Sequence, residues 1–193
     1  MQLFLTAVGV VLSFAATGIY IVSIVRGKTK PHLFTYLVWS IVTIIAFFGS
    51  LVSGGGYGAW LTGLSGFFTV VVMVLCFRYG TKDIKPIDTF FLIAALISIV
   101  PWLIFKDPLW SVVLATAIDV CGYLPTIRKT WKAPQSEVAA GWALGTVRSA
   151  ISLVTLGAFN ITTVIFPLEI LIMNSIVVYV IFWRRRVKTS QRK

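Results

Sequence analysis

Apolar runs of about 20 residues recur along this chain between short polar stretches, and that pattern leaves it few folds. A helix rises about 1.5 Å per residue, so each run matches the roughly 30 Å hydrocarbon core of a bilayer. Seven runs are read, at about 2–25, 33–52, 57–77, 87–105, 109–127, 139–158 and 160–183. Hydrocarbon cannot satisfy backbone N–H and C=O groups, so these runs are expected as helices. The expected fold class is all-α, a polytopic membrane protein of seven transmembrane helices. Roughly 50 residues remain for loops and tails, too few for a separate soluble domain. No Lys or Arg precedes Arg26. The first run therefore lacks the basic start of a signal peptide and is expected as a retained span.

The net charge of +11 would suit a nucleic-acid binder, but its placement argues for topology instead. Cations fill the first loop (Arg26, Lys28, Lys30), the third (Arg78, Lys82, Lys85), the fifth (Arg128, Lys129, Lys132) and the C-terminal segment (Arg184, Arg185, Arg186, Lys188, Arg192, Lys193). The second and sixth loops carry none. By the positive-inside rule the N-terminus is expected outside and the C-terminus in the cytoplasm, in the plasma membrane. Anionic lipid is then the expected partner of the basic face, and no nucleic acid is expected. Trp60, Trp102 and Trp110 near outer span ends, and Trp39, Trp131, Trp142 and Trp183 near inner ends, are read as interfacial belts.

Shifted by 103 positions, the chain aligns with itself without a gap. Tyr20 falls on Tyr123, Ile24 on Ile127, Pro31 on Pro134, Trp39 on Trp142, Thr43 on Thr146 and Gly54 on Gly157. The pattern predicts two parallel three-helix bundles joined by a linker helix (3+1+3), an arrangement that suits a solute site between repeats. The expected boundaries are 1–80 for the first repeat, 81–107 for the linker, 108–185 for the second repeat and 186–193 for a basic cytoplasmic tail. The short outer loops, with Gly54-Gly55-Gly56 in one and Phe159-Asn160 in the other, imply antiparallel neighbours.

Polar residues inside the spans share faces. Thr6, Ser13, Thr17 and Tyr20 lie on one side of the first helix, and Thr116, Asp119 and Tyr123 on one side of the fifth. Gly141, Gly145, Arg148, Ser152 and Thr155 do the same on the sixth. Lipid cannot satisfy such faces, so they are expected to turn inward, toward a cavity or toward close helix packing. Ser13, Thr17, Tyr20, Thr116, Tyr123 and Ser152 are the expected cavity lining. Asp119, Arg148 and Glu169 fall near the middle of spans, where a charge costs about 2.5 kcal/mol or more and needs a cavity or a partner. Their counterparts in the first repeat are Ala16, Ile45 and Gly66. The economical expectation pairs Arg148 with one acid and leaves the other free to exchange a proton; a fixed ion-pair triad is the alternative. Asn174, near Glu169 on the last helix, is expected to bind solute or to bond across helices. Pro125 and Pro167 interrupt the fifth and seventh spans and Pro101 the linker, each removing a backbone hydrogen bond, as a hinge or as a static kink.

The single histidine, His32, sits in a loop with no second His or paired Cys, so no metal or other cofactor is expected. Cys76 and Cys121 lie in different spans and are read as packing residues. With no Ser/His or Cys/His pair, no enzyme is expected.

The segment from Tyr123 through Pro125, the basic stretch around Trp131 and the loop to Glu137, followed by Trp142, resembles the PQ-loop and SWEET superfamily of transporters. A weaker copy runs from Tyr20 to Trp39. The resemblance implies the same seven-span plan, alternating access and a midplane solute site. Pro125 stands at the family's proline, while Thr126 replaces its glutamine, and Val22 and Ser23 replace the pair in the first copy. Helix seven offers Asn174 or Glu169 where sugar carriers use asparagine; mid-membrane acids are closer to proton-linked amino-acid exporters. The expected function is transport of a small polar solute, an amino acid or a sugar, with proton coupling. The rival is a membrane receptor or sorting protein on the same scaffold, as the KDEL receptor resembles this fold. Expected partners are the bilayer, the solute, protons and, in a homo-oligomer, further copies of the chain.

Overall fold

The chain is described by a computed structural model covering residues 1–82 and 84–190. Eight helical segments run α1 (Gln2–Val25), α2 (Leu33–Val52), α3 (Gly56–Tyr79), α4 (Pro86–Ile97), α5 (Val100–Phe105), α6 (Leu109–Lys132), α7 (Ala139–Val154) and α8 (Ile161–Ser190). Together α4 and α5 form one broken rod, so the seven sequence runs become seven helices. Six of these are long and apolar enough to cross a membrane, and α7 is shorter at 16 residues. The break in α4–α5 lies at Ser98 and Ile99, where Pro101 opens the second piece. Its ring removes the N–H that would continue the ladder.

The burial pattern is inverted relative to a water-soluble bundle. Phe4, Phe14, Phe67, Phe77, Phe90 and Leu103 are among many large apolar side chains exposed on the outside. Ser13, Thr43, Ser111, Asp119, Arg148, Ser149, Glu169 and Asn174 are buried. Polar groups turned inward under an apolar skin is the arrangement hydrocarbon solvent favours.

Helix contacts repeat between the halves. α3 packs against α1 and α2, and α8 against α6 and α7. Across the halves α1 meets α7 and α2 meets α6, while α3 meets α7 and α2 meets α8. Exchanging α1, α2 and α3 with α6, α7 and α8 maps this set onto itself. The α4–α5 rod touches α2 and α6 from the side.

The two ends of the bundle differ. One carries the α2–α3 and α7–α8 turns, here termed the glycine end. Gly54 and Gly56 have φ of 86° and 54°, which side chains with a Cβ seldom adopt. Gly157 N–H donates to Gly55 O at 3.2 Å and Gly58 N–H to Thr155 O at 3.0 Å. Ser152 Oγ donates to Gly58 O at 2.8 Å and Asn160 Nδ2 to Ser53 O at 3.1 Å, so four bonds tie the halves here. These ties also explain why α7 stops at Val154 rather than near 158. Gly157 N–H and Thr155 C=O turn out of the helix to bond the opposite half.

At the other, basic end, the corresponding bonds run inside a half. Thr81 N–H donates to Pro31 O at 2.9 Å, and Leu33 N–H to Thr81 O at 3.1 Å. Arg185 Nε donates to Pro134 O at 3.1 Å. His32 lies 4.0 Å from Asp88 and 3.3 Å from Thr35 Oγ1. The segment expected as a separate tail from 186 continues α8 to Ser190; residues 191–193 of that tail lie outside the described residues. Helical hydrogen bonding does not need an apolar sequence, so the helix outlasts its apolar run.

Candidate functional site

A cavity of about 170 Å³ lies between the halves. Each of the six helices outside the α4–α5 rod supplies part of its wall. α1 contributes Ser13, Thr17 and Tyr20, α2 contributes Tyr36, Trp39 and Thr43, and α3 contributes Ser65, Phe68 and Thr69. From the second half come Asp119 and Tyr123 on α6, Gly141, Trp142, Gly145 and Arg148 on α7, and Ile170 and Asn174 on α8. A water occupies about 30 Å³ in the liquid, and an engineered apolar cavity of about 150 Å³ accepts benzene. The space therefore suits a solute of single-ring size.

An aromatic chain crosses this cavity. Ring centroids lie 6.1 Å apart for Tyr20–Tyr36, 5.4 Å for Tyr36–Trp39, 5.0 Å for Trp39–Tyr123 and 6.0 Å for Tyr123–Trp142. Four of the five rings form the pairs Tyr20/Tyr123 and Trp39/Trp142, each 103 positions apart. Trp39 lies flat against α6 because Gly122 has no side chain; a Cβ there would collide with its Nε1. Trp39 Nε1 reaches Asp119 O at 3.5 Å. Trp142 Nε1 donates to Glu137 Oε2 at 3.1 Å, and Lys129 Nζ to Glu137 Oε1 at 2.8 Å. The expectation that Trp39 and Trp142 are interfacial anchors is therefore corrected. Nearness to a span end did not reveal that their indoles point inward. Trp60, Trp110, Trp131 and Trp183 do face outward.

The buried charges are arranged differently from the expected ion pair. Arg148, 7% exposed, donates Nη1 to Leu61 O at 3.2 Å on α3 and Nη2 to Ser149 Oγ at 3.5 Å. Neither bond goes to a carboxylate. Asp119 and Glu169 are electrostatic neighbours instead. Both Glu169 oxygens are buried without a fixed donor. Helical spacing placed Asp119 and Arg148 on inward faces, and mid-span position singled out Glu169, but neither could choose among the neighbours each would reach.

The other expected site residues divide. Ser13, Thr17, Tyr20, Asp119, Tyr123, Arg148 and Asn174 line the cavity. Thr116 and Ser152, expected in the cavity lining, are buried outside its wall, and Glu169 is buried there too. Thr116 Oγ1 donates back to Val112 O at 2.7 Å within its own helix, and Ser152 serves the glycine-end tie. Asn174 lines the cavity and bonds across helices, since Tyr123 Oη donates to its Oδ1 at 3.0 Å between α6 and α8. Pro125 and Pro167 lie inside the unbroken helices α6 and α8. Sequence reasoning passed over Tyr36, Ser65, Thr69 and Glu137. The i, i+4 spacing of Ser65 and Thr69, and the single acid in the basic α6–α7 loop, were the available signals.

Among the described residues no cluster of three or more His, Cys, Asp or Glu could hold a metal. Comparison with protein-family models, curated proteins and solved structures gave no match.

Proposed function

We propose that the chain is a small-solute membrane transporter of PQ-loop/SWEET-like plan, in which α1–α3 and α6–α8 are parallel repeats, α4–α5 is the linker, and the halves rock about the cavity. The observation that carries this reading is the cavity itself. All six repeat helices line it, the linker does not, and it contains an acid and a base that a packing core would exclude. The self-mapping contact pattern supports the repeat. Bonds between the halves at the glycine end support a state closed there, with entry from the basic end. By the positive-inside rule that end faces the cytoplasm. Opening the other way requires the ties at Gly55, Gly58 and Asn160 to part, with Pro125 and Pro167 as bending points.

The Asp119–Glu169 pair supplies the coupling: it gains or loses a proton as the cavity changes sides. Solute uptake into proteoliposomes, driven by an imposed pH gradient, tests this. Asp119→Asn and Glu169→Gln should each uncouple uptake from the gradient. Uptake indifferent to pH in wild type would remove proton coupling, and solute binding without any flux would favour a receptor over a carrier.

A further inference from the structure

We infer that the cavity takes a small zwitterion, an ammonium carboxylate no bulkier than a single ring, with its cationic end between Asp119 and the aromatic wall and its anionic end at Arg148. This rests on the reading of the cavity as a solute site and names the chemistry of the solute. Asp119 and Arg148, 3% and 7% exposed, both line the cavity, and Arg148 bonds Leu61 O rather than a carboxylate. Asp119 and Arg148 give the cavity wall one acidic and one basic pole. Tyr123 lines the same cavity as both poles.

A neutral sugar would leave both poles unanswered. A plain cation would face repulsion from Arg148, and a plain anion repulsion from the acids. A zwitterion answers both. The guanidinium has five N–H donors and commits two, leaving others for a carboxylate in the forked geometry these groups favour. The ammonium end meets Trp39 and Tyr123, whose ring faces attract cations within about 6 Å. The volume of about 170 Å³ excludes anything the size of a disaccharide.

Equilibrium binding to the full-length protein in nanodiscs tests the assignment, using glycine betaine, L-alanine, choline, isobutyrate and glucose as probes. Calorimetry and the fluorescence of Trp39 and Trp142 provide the readout. At least one of the two zwitterions should bind tenfold or more tighter than choline, isobutyrate and glucose. Arg148→Lys should weaken that zwitterion about tenfold and leave choline unchanged, whereas Asp119→Asn should weaken both. If either variant fails to fold, the wild-type ranking decides alone. Glucose or choline binding as tightly as the zwitterions, or no probe binding at all, overturns the proposal. Zwitterion binding without flux in proteoliposomes overturns transport but not this site; glucose flux that betaine does not compete with does the reverse.

Discussion

Where the first half places Ala16, Ile45 and Gly66, the second places Asp119, Arg148 and Glu169 at positions 103 residues on. Ala16 still lines the cavity, Ile45 is buried in the apolar core, and Gly66 lies against Thr43. The helix contacts are equivalent, so the difference is one of chemistry within a shared architecture. The first half offers hydroxyls and rings; the second adds the charges. One set of ionisable groups suffices for a cavity that both halves enclose, and a duplicate set would double the cost of burying charge.

Moving the acid across the halves tests this division most severely. Asp119→Ala should reduce pH-driven uptake to the level of empty liposomes. Adding Ala16→Asp in that background should not restore it, because Gly66 stands where a second acid would be needed. Recovery of uptake in the double variant would show that the halves are interchangeable after all.

The glycine end offers the next largest effect. A Cβ at Gly58 would collide with the Ser152 backbone carbonyl, and the Leu156 side chain lies 2.8 Å away. Gly58→Leu should destabilise the protein by about 3 kcal/mol, the upper range for overpacking. Ile161, 103 positions on, is 63% exposed, so Ile161→Leu should change stability by less than about 0.5 kcal/mol. Denaturant titration in micelles measures both, and equal losses would refute a tie made by one half's glycine.

The cavity tryptophans are held unequally. Trp142 donates to the Glu137 carboxylate at 3.1 Å, whereas Trp39 has only the longer 3.5 Å bond to Asp119 O and its packing against Gly122. Glu137→Ala should cost about 1 kcal/mol through the lost indole bond, with little added by Lys129, whose side chain is 40% exposed. The same titration checks the cost, and no loss would mean that packing holds Trp142 as well.

How far the sequence disclosed this molecule follows from what each signal encodes. The spans were legible because hydrocarbon thickness imposes their length, and six of seven emerged as long apolar helices. The end of α7 was not, because Thr155 and Gly157 are taken by the opposite half. Inward faces were legible from helical spacing, which correctly grouped Ser13, Thr17 and Tyr20, and Asp119 and Tyr123. Partners were not: Arg148 looked like the mate of an acid and bonds a backbone carbonyl instead. Spacing fixes the direction in which a side chain leaves its helix, but not the length and register of the helix it meets.

The smallest expected effect separates the related tyrosines. Tyr123 Oη donates to Asn174 Oδ1 at 3.0 Å between two buried residues, so Tyr123→Phe strands an amide oxygen away from water. That should cost about 1 kcal/mol and widen the tolerance of the proposed solute site, since Asn174 would be free to turn. Tyr20 holds the equivalent place in α1, but position 71, the counterpart of Asn174, is valine. Its hydroxyl neighbours that of Tyr36 instead, and both tyrosines lie partly open to the cavity. Tyr20→Phe should therefore cost less, about 0.5 kcal/mol, because water entering the cavity can replace the lost group. Micelle titrations of the two single variants and the double variant resolve the pair. Additive costs would mean that each tyrosine acts within its own half, whereas a double variant less damaged than the sum would show that the aromatic chain couples them through Trp39.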